Sequence, residues 1–227
     1  MNENEAVFHL WKLPVSATVV TTWGIMLCFA ALALLVRLRL RDQPARWQSA
    51  VETVVVVIES AIGEVLPPQT VRKVLPFVGT LWLFVLSANL IGLIPGLHAP
   101  TRDLSATAAL AMLVFAYSHW FGIRDHGLRK HLRQYTEPSV ILLPFHIVSE
   151  LTRTLALAIR LFGNMMSLEM AALLVLLIAG FLVPVPLLML HVIEAIVQAY
   201  IFGMLALIYI AGAMEQNDTE TPPENKP

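Results

Sequence analysis

The chain has 227 residues, of which 57% are hydrophobic and 14% charged, with a mean hydropathy of +0.72. A soluble domain carries roughly 25% charged residues and needs them to cover its surface, so part of the solvent of this chain must be lipid. The balance of 15 Lys+Arg against 16 Asp+Glu, a formal net charge of -1, gives no field that would gather a polyanion. Composition therefore speaks against a soluble enzyme, a nucleic-acid binder and a disordered protein alike. Cys28 is the single cysteine, which excludes an intrachain disulfide and leaves the redox compartment open.

A helix needs about 20 apolar residues to cross the hydrocarbon core. Residues 1–14 form an N-terminal segment with Glu3, Glu5 and Lys12 but no basic n-region and no obvious cleavage site, so a removable signal peptide is not expected. Residues 15–36 are the first expected span, free of charge and followed at once by Arg37, Arg39, Arg41 and Arg46. By the positive-inside rule that cluster stays cytoplasmic and the N-terminus lies outside. Residues 47–66 read as an amphipathic helix at the membrane surface, because Glu52, Glu59 and Glu64 interrupt a Val- and Ile-rich stretch on one side. Pro67 and Pro68 end it.

Residues 74–94 are a second span, closed by Pro95 and Gly96, and residues 104–121 a third, preceded by the polar loop of Thr101, Arg102 and Asp103. The basic residues Arg124, Arg129, Lys130 and Arg133 follow the third span and again mark the inside, so two independent clusters support one topology. Two long apolar segments follow, residues 138–180 and 181–214, parted by a turn region with Gly180, Pro184 and Pro186. They return the C-terminus to the cytoplasmic side, where the polar tail 215–227 is expected to be disordered. The expected fold is an all-α integral membrane protein: five embedded helices and one interfacial helix make a single membrane domain over residues 15–214. No internal repeat supports a transporter built of inverted halves.

Five charged residues stand in the last two segments: Glu150, Arg153, Arg160, Glu169 and Glu194. Each costs about 2.5–3.5 kcal/mol at mid-membrane on insertion scales, so they need a compensating role. At 100° per residue, Ser149, Arg153, Ala156, Gly163, Asn164 and Ser167 all fall within about 60° of Arg160, and Glu169 falls on the opposite side. A face of small and polar residues lets another helix approach closely, and the arginine would meet whatever that helix carries. His191, Glu194 and Gln198 share one face of the final segment, with Tyr209 nearly in line. In a hairpin of the two segments Gln198 would face the Arg160 region, while Glu169 and His191 would form a polar patch elsewhere.

Glu150 and Arg153 have two readings, snorkelling at an interface or a functional role. Arg160 lies mid-segment between apolar turns and is expected to be functional, and Glu169 and His191 are candidates for an ion pathway. Glu194 is either their partner or a redundant acid, and Gln198 taken alone serves packing as readily as function.

The run Leu157, Ala158, Ile159, Arg160, Leu161, Phe162, Gly163, Asn164, Met165 resembles the arginine motif of subunit a of F-type ATP synthases. Gln198, Ala199, Tyr200, Ile201 and Phe202 resemble that family's glutamine motif. The loop Pro100, Thr101, Arg102, Asp103, Leu104 and the run from Asn89 to Pro95 resemble its third-span entry and second-span end. The similarity covers residues 70–213. It implies that Arg160 faces a rotor ring of c subunits, with Gln198 near it and Asn164 beside it. It also implies that the last two helices form a hairpin against that ring, that Glu169 and His191 are a polar pair in one access channel, and that Asp103 and Glu150 lie near channel mouths. The implied partners are the c-ring, the peripheral-stalk b subunits, the remaining synthase subunits and membrane lipid, with no nucleic acid. The implied location is a bacterial plasma membrane.

Two departures stand out. Arg153 and Thr154 occupy positions where the family commonly has a basic residue followed by proline, so a weaker kink is expected there. Glu194 is an additional acid on the channel face. Neither cofactor nor metal ligand is expected, and the chain has no glycine-rich phosphate loop, so nucleotide chemistry would belong to a partner. The resemblance implies two half-channels coupling H+ or Na+ flow to ring rotation. The competing class is an ion-coupled transporter or channel that binds an anionic substrate at Arg160.

Overall fold

The computed structural model describes residues 8–10, 13–39, 46–94, 97, 99–127, 143–179 and 184–215. Arg129, Lys130 and Arg133 of the second basic cluster, the start of the first long apolar segment, and the tail after Glu215 lie outside them. Among the described residues six helices follow one another: α1 (Ala17–Arg39), α2 (Arg46–Gly63), α3 (Pro68–Leu90), α4 (Leu104–His126), α5 (Leu143–Ala179) and α6 (Pro184–Glu215). Five are long and apolar enough to cross a membrane: Ala17–Arg39, Pro68–Leu93, Leu104–Arg124, Leu143–Ile178 and Val185–Met214. The protein is thus an all-helical membrane protein in its spanning part. Ahead of α1, strands β1 (Phe8–Leu10) and β2 (Leu13–Val15) pair antiparallel, with Phe8 opposite Val15. Strands of three residues are too short to show a period in the sequence.

Helix ends follow local chemistry. After the turn at Glu64 and Val65, Pro67 precedes α3 and Pro68 opens it, so α3 starts six residues earlier than hydropathy suggested. Proline at the first helical position forfeits no intrahelical bond, because that N–H has no partner there. The first turns of α3 carry exposed Arg72 and Lys73, which a hydropathy window excludes. At the other end a 3₁₀ turn, Ile91–Leu93, continues α3, and a second, Pro100–Arg102, leads into α4. Asp103 caps α4: its Oδ1 accepts from the Ser105 N–H at 2.9 Å. Gly127, at φ 85°, closes it by donating to the Ile123 carbonyl at 2.8 Å, so that α4 ends at His126, five residues beyond the expected end.

The core lies between α3, α4, α5 and α6, with α2 laid against α3. Val74, Val78 and Val85 of α3, Val114 of α4, Leu157 and Leu161 of α5, and Phe202, Leu207 and Ile210 of α6 are fully buried there. Lipid is as apolar as these side chains, so association rests on close packing rather than on the hydrophobic effect. Ala88, Ala111, Ala158, Ala195, Ala199 and Ala206 are buried, as close packing requires. By contrast α1 buries Ile25 alone, and α2 seats Ile58 and Ile62 while its acids Glu52 and Glu59 stay exposed.

The hairpin of α5 and α6 determines the site. Asn164 meets Gln198, and Arg153 meets Tyr209, so contacts ascend one helix as they descend the other and the two run antiparallel. With 37 and 32 residues at 1.5 Å each, the helices are about 55 and 48 Å long, against a hydrocarbon core of about 30 Å. They fit a bilayer only if strongly tilted. Helix α5 also runs unbroken through Thr154, whose hydroxyl donates back to the Glu150 carbonyl at 3.0 Å.

Candidate functional site

Around Arg160 the structure separates a packed side of α5 from an open one. Leu157, Ala158, Leu161, Met165 and Leu168 are buried against the rest of the chain. Ser149, Arg153, Ala156, Arg160 and Ser167 are exposed, and Gly163 has open space where a side chain would stand. The small and polar face that carries Arg160 is therefore presented outward. Asn164, one turn on, sits at its boundary: its Nδ2 donates to Gln198 Oε1 at 2.6 Å, across the hairpin. Gln198 is 2% exposed, and its own Nε2 donor has no partner among the described residues. That orphaned donor lies one helical turn from Ala195, whose carbonyl meets Asn89.

Beyond Asn164 the hairpin register brings Glu169 to the level of His191 and Glu194. Glu169 and Arg102, on the 3₁₀ turn before α4, form a part-buried ion pair in which Arg102 Nη1 donates to Glu169 Oε1. His191, 8% exposed, lies with Nε2 3.3 Å from the Asn89 carbonyl oxygen. A carbonyl only accepts, so that nitrogen carries hydrogen, and in the neutral ring Nδ1 is the acceptor. The Asn89 Nδ2 donates in turn to the Ala195 carbonyl at 3.5 Å, leaving its Oδ1 without a partner in the described residues. Thr101, fully buried, is the third residue with an orphaned polar atom, its Oγ1. Glu169 and His191 thus share a level of the hairpin while each takes its own partner. Glu194, half-buried, stands beside them.

Toward the other end of α5, Glu150 and Arg153 approach to 3.6 Å, and the Arg153 guanidinium lies 4.9 Å from the Tyr209 ring centre. Arg160 therefore stands between two polar zones of the hairpin. One centres on Glu169, nine residues and about 14 Å along the helix; the other, on Arg153, is seven residues and about 10 Å the opposite way. Among the described residues, no group of three His, Cys, Asp or Glu side chains could hold a metal ion.

The profile of the family described as ATP synthase A chain matches residues 19–211. "ATP synthase subunit a 2" of Pelobacter propionicus is 58% identical over 226 residues, covering 100% of this chain and 99% of the relative. "ATP synthase subunit a 1" of Hahella chejuensis is 60% identical over 214 residues, 94% of this chain and 90% of the other. "ATP synthase subunit a" of Legionella pneumophila is 52% identical over 219 residues, 96% and 95% of the two. The chain belongs to the ATP synthase A chain family. It is a membrane subunit of an ATP synthase and not the subunit that performs nucleotide chemistry.

Of the residues that the sequence singled out, Asn164 and Gln198 meet across the hairpin, and Arg160 stands one helical turn from Asn164 on the outward face. Asp103 is occupied as the cap of α4, next to Arg102 in the chain. Glu150 pairs along its own helix with Arg153. In the sequence Asn89, Thr101 and Arg102 stand out only as parts of motifs and of the loop before α4, and the structure adds them to the polar set. Residues near helix ends and in loops look like ordinary interface chemistry in a sequence, and only burial by neighbouring helices marks them out.

Proposed function

We propose that this chain is the stationary ion-conducting subunit of its synthase, with Arg160 facing the carboxylates of a ring of c subunits. The observation that carries this reading is an arginine at the centre of an apolar hairpin, on an outward face of small residues, with polar zones on both sides of it. A carboxylate in mid-membrane travels past lipid only when neutralised by H+ or Na+. Near Arg160 it is ionised instead, because opposite charges about 4 Å apart attract by about 4 kcal/mol even at an effective dielectric of 20. The bound ion leaves before the site passes the arginine, and another loads after it.

The two zones serve as separate half-channels. Glu169, His191, Asn89 and Thr101 line one, with Glu194 beside them and Asp103 at its mouth; Glu150, Arg153 and Tyr209 mark the other. Orphaned polar atoms on Asn89, Thr101 and Gln198 support a hydrated path, since buried groups of this kind are ordinarily satisfied by water when no protein partner is present. Arg160 separates the channels, because its fixed positive charge repels a cation crossing directly. The gradient supplies about 2.3 kcal/mol per elementary charge per 100 mV, and rotation follows from loading and unloading on opposite sides. The chain thus acts with the c-ring, held by peripheral-stalk b subunits.

The test is ATP-driven cation uptake by the reconstituted complex. Arg160→Ala is expected to abolish uptake while the complex still assembles; coupled uptake at the normal rate would refute the role. Running the assay with and without Na+ in the presence of a protonophore identifies the ion.

A further inference from the structure

The chemistry of the Glu169 zone includes a group whose role the half-channel reading leaves unassigned, the guanidinium of Arg102. This residue precedes the α4 cap, on the 3₁₀ turn Pro100–Arg102, and its side chain is 18% exposed. Its partner, Glu169, is 29% exposed and lies 67 residues away in the chain, so the pair exists only because the turn is seated on α5. A guanidinium stays protonated at every pH a cell reaches, so Arg102 cannot hand on a proton. What it can do is hold a carboxylate at a fixed place and keep a countercharge beside it. The turn itself is firmly based: Pro100 and Thr101 are buried, and the Ala99 Cβ lies 3.1 Å from where a Gly92 side chain would begin, closer than ordinary van der Waals contact.

We propose that Arg102 is a positioning residue for ion transfer, holding the Glu169 carboxylate at the level of His191 and Glu194. The inference rests on the reading that Glu169 lies in the ion path. The turn supplies the rigid base, the guanidinium the orientation, and Glu169 the group that meets the ion. Loss of this orientation is expected to slow transfer about tenfold.

The experiment compares four variants in the reconstituted complex: Arg102→Gln, Arg102→Lys, Glu169→Gln and the double Arg102→Gln/Glu169→Gln. Assembly is followed by copurification, and ATP-driven uptake by a pH-sensitive dye and by radiolabelled Na+. Arg102→Gln is expected to assemble and to lose uptake about tenfold, Arg102→Lys to recover most of it, and the double variant to be no slower than the slower single one. Losses that multiply in the double variant overturn the proposal, because Arg102 would then act independently of Glu169. Normal uptake by Arg102→Gln with impaired uptake by Glu169→Gln overturns it too, while the half-channel reading stands. Normal uptake by Glu169→Gln instead refutes that reading for Glu169, and the proposal with it. The exchanged pair Arg102→Glu/Glu169→Arg covers a failure of Arg102→Gln to assemble. Restored assembly without uptake supports positioning; full recovery of both shows a mere clasp and overturns it.

Discussion

Arg160 and Gln198 show two ways in which a polar side chain persists among apolar helices. Arg160 is left exposed by its own chain, whereas Gln198 is buried and bonded to Asn164 at 2.6 Å. Replacing Gln198 by leucine strands the Asn164 amide at a part-buried boundary, which costs about 1–3 kcal/mol. Gln198→Leu is therefore expected to lower the thermal midpoint of the purified complex, measured by the loss of its assembled band on heating. Asn164→Leu/Gln198→Leu is expected to regain much of that loss, because both partners are then apolar. A double variant less stable than both singles would contradict this account of the bond. Arg160, Glu169 and His191 were legible as polar exceptions in apolar runs. The partners of Glu169 and His191 were not, since Arg102 and Asn89 come from segments 67 and 102 residues away.

At the scale of elements, the crossing of α3 and α6 depends on a glycine. A side chain at Gly203 would overlap the Trp82 indole, whose Nε1 donates to the Tyr200 carbonyl at 3.2 Å and whose ring stacks on Tyr200 at 5.6 Å. Gly203→Ala must push these helices apart at a place where the ring is held on both sides, and overpacking of this kind costs about 1–3 kcal/mol. The expected outcome is reduced thermal stability, with partial recovery on adding Trp82→Phe to make room. An unchanged melting profile for Gly203→Ala would show that the indole yields freely. Element identity was well marked in the sequence, because long uncharged runs have few alternatives in lipid. Boundaries were less so: Pro68 as a helix start and Gly127 as a helix stop are matters of local backbone chemistry that a hydropathy window averages away.

For the whole molecule, the charge clusters and the packing address topology separately. In the orientation we propose from the charge clusters the segment between α3 and α4 faces outside, and the Arg102 to Glu169 pair puts that segment at the same end as the distal half of α5. Cys28 as the single native cysteine makes the sidedness measurable. In a Cys28→Ser background, Asn4→Cys is expected to react with an impermeant maleimide from outside intact cells. Arg129→Cys and Asn217→Cys are expected to react only after the membrane is opened. Labelling of Arg129→Cys in intact cells would reverse the proposed orientation.

The opening composition, 57% hydrophobic with 14% charge, determined a membrane protein by itself. Hydropathy and charge then determined the number of spans and the residues that break the rule, because inserting a charge carries a cost that depends on its own segment and not on its neighbours. Only the tertiary structure decided what each of those residues meets: an open face for Arg160, Arg102 for Glu169, the Asn89 backbone for His191. Such pairings depend on helix register and tilt, which in lipid are set by the packing of small and large side chains between helices, and no single segment encodes them alone.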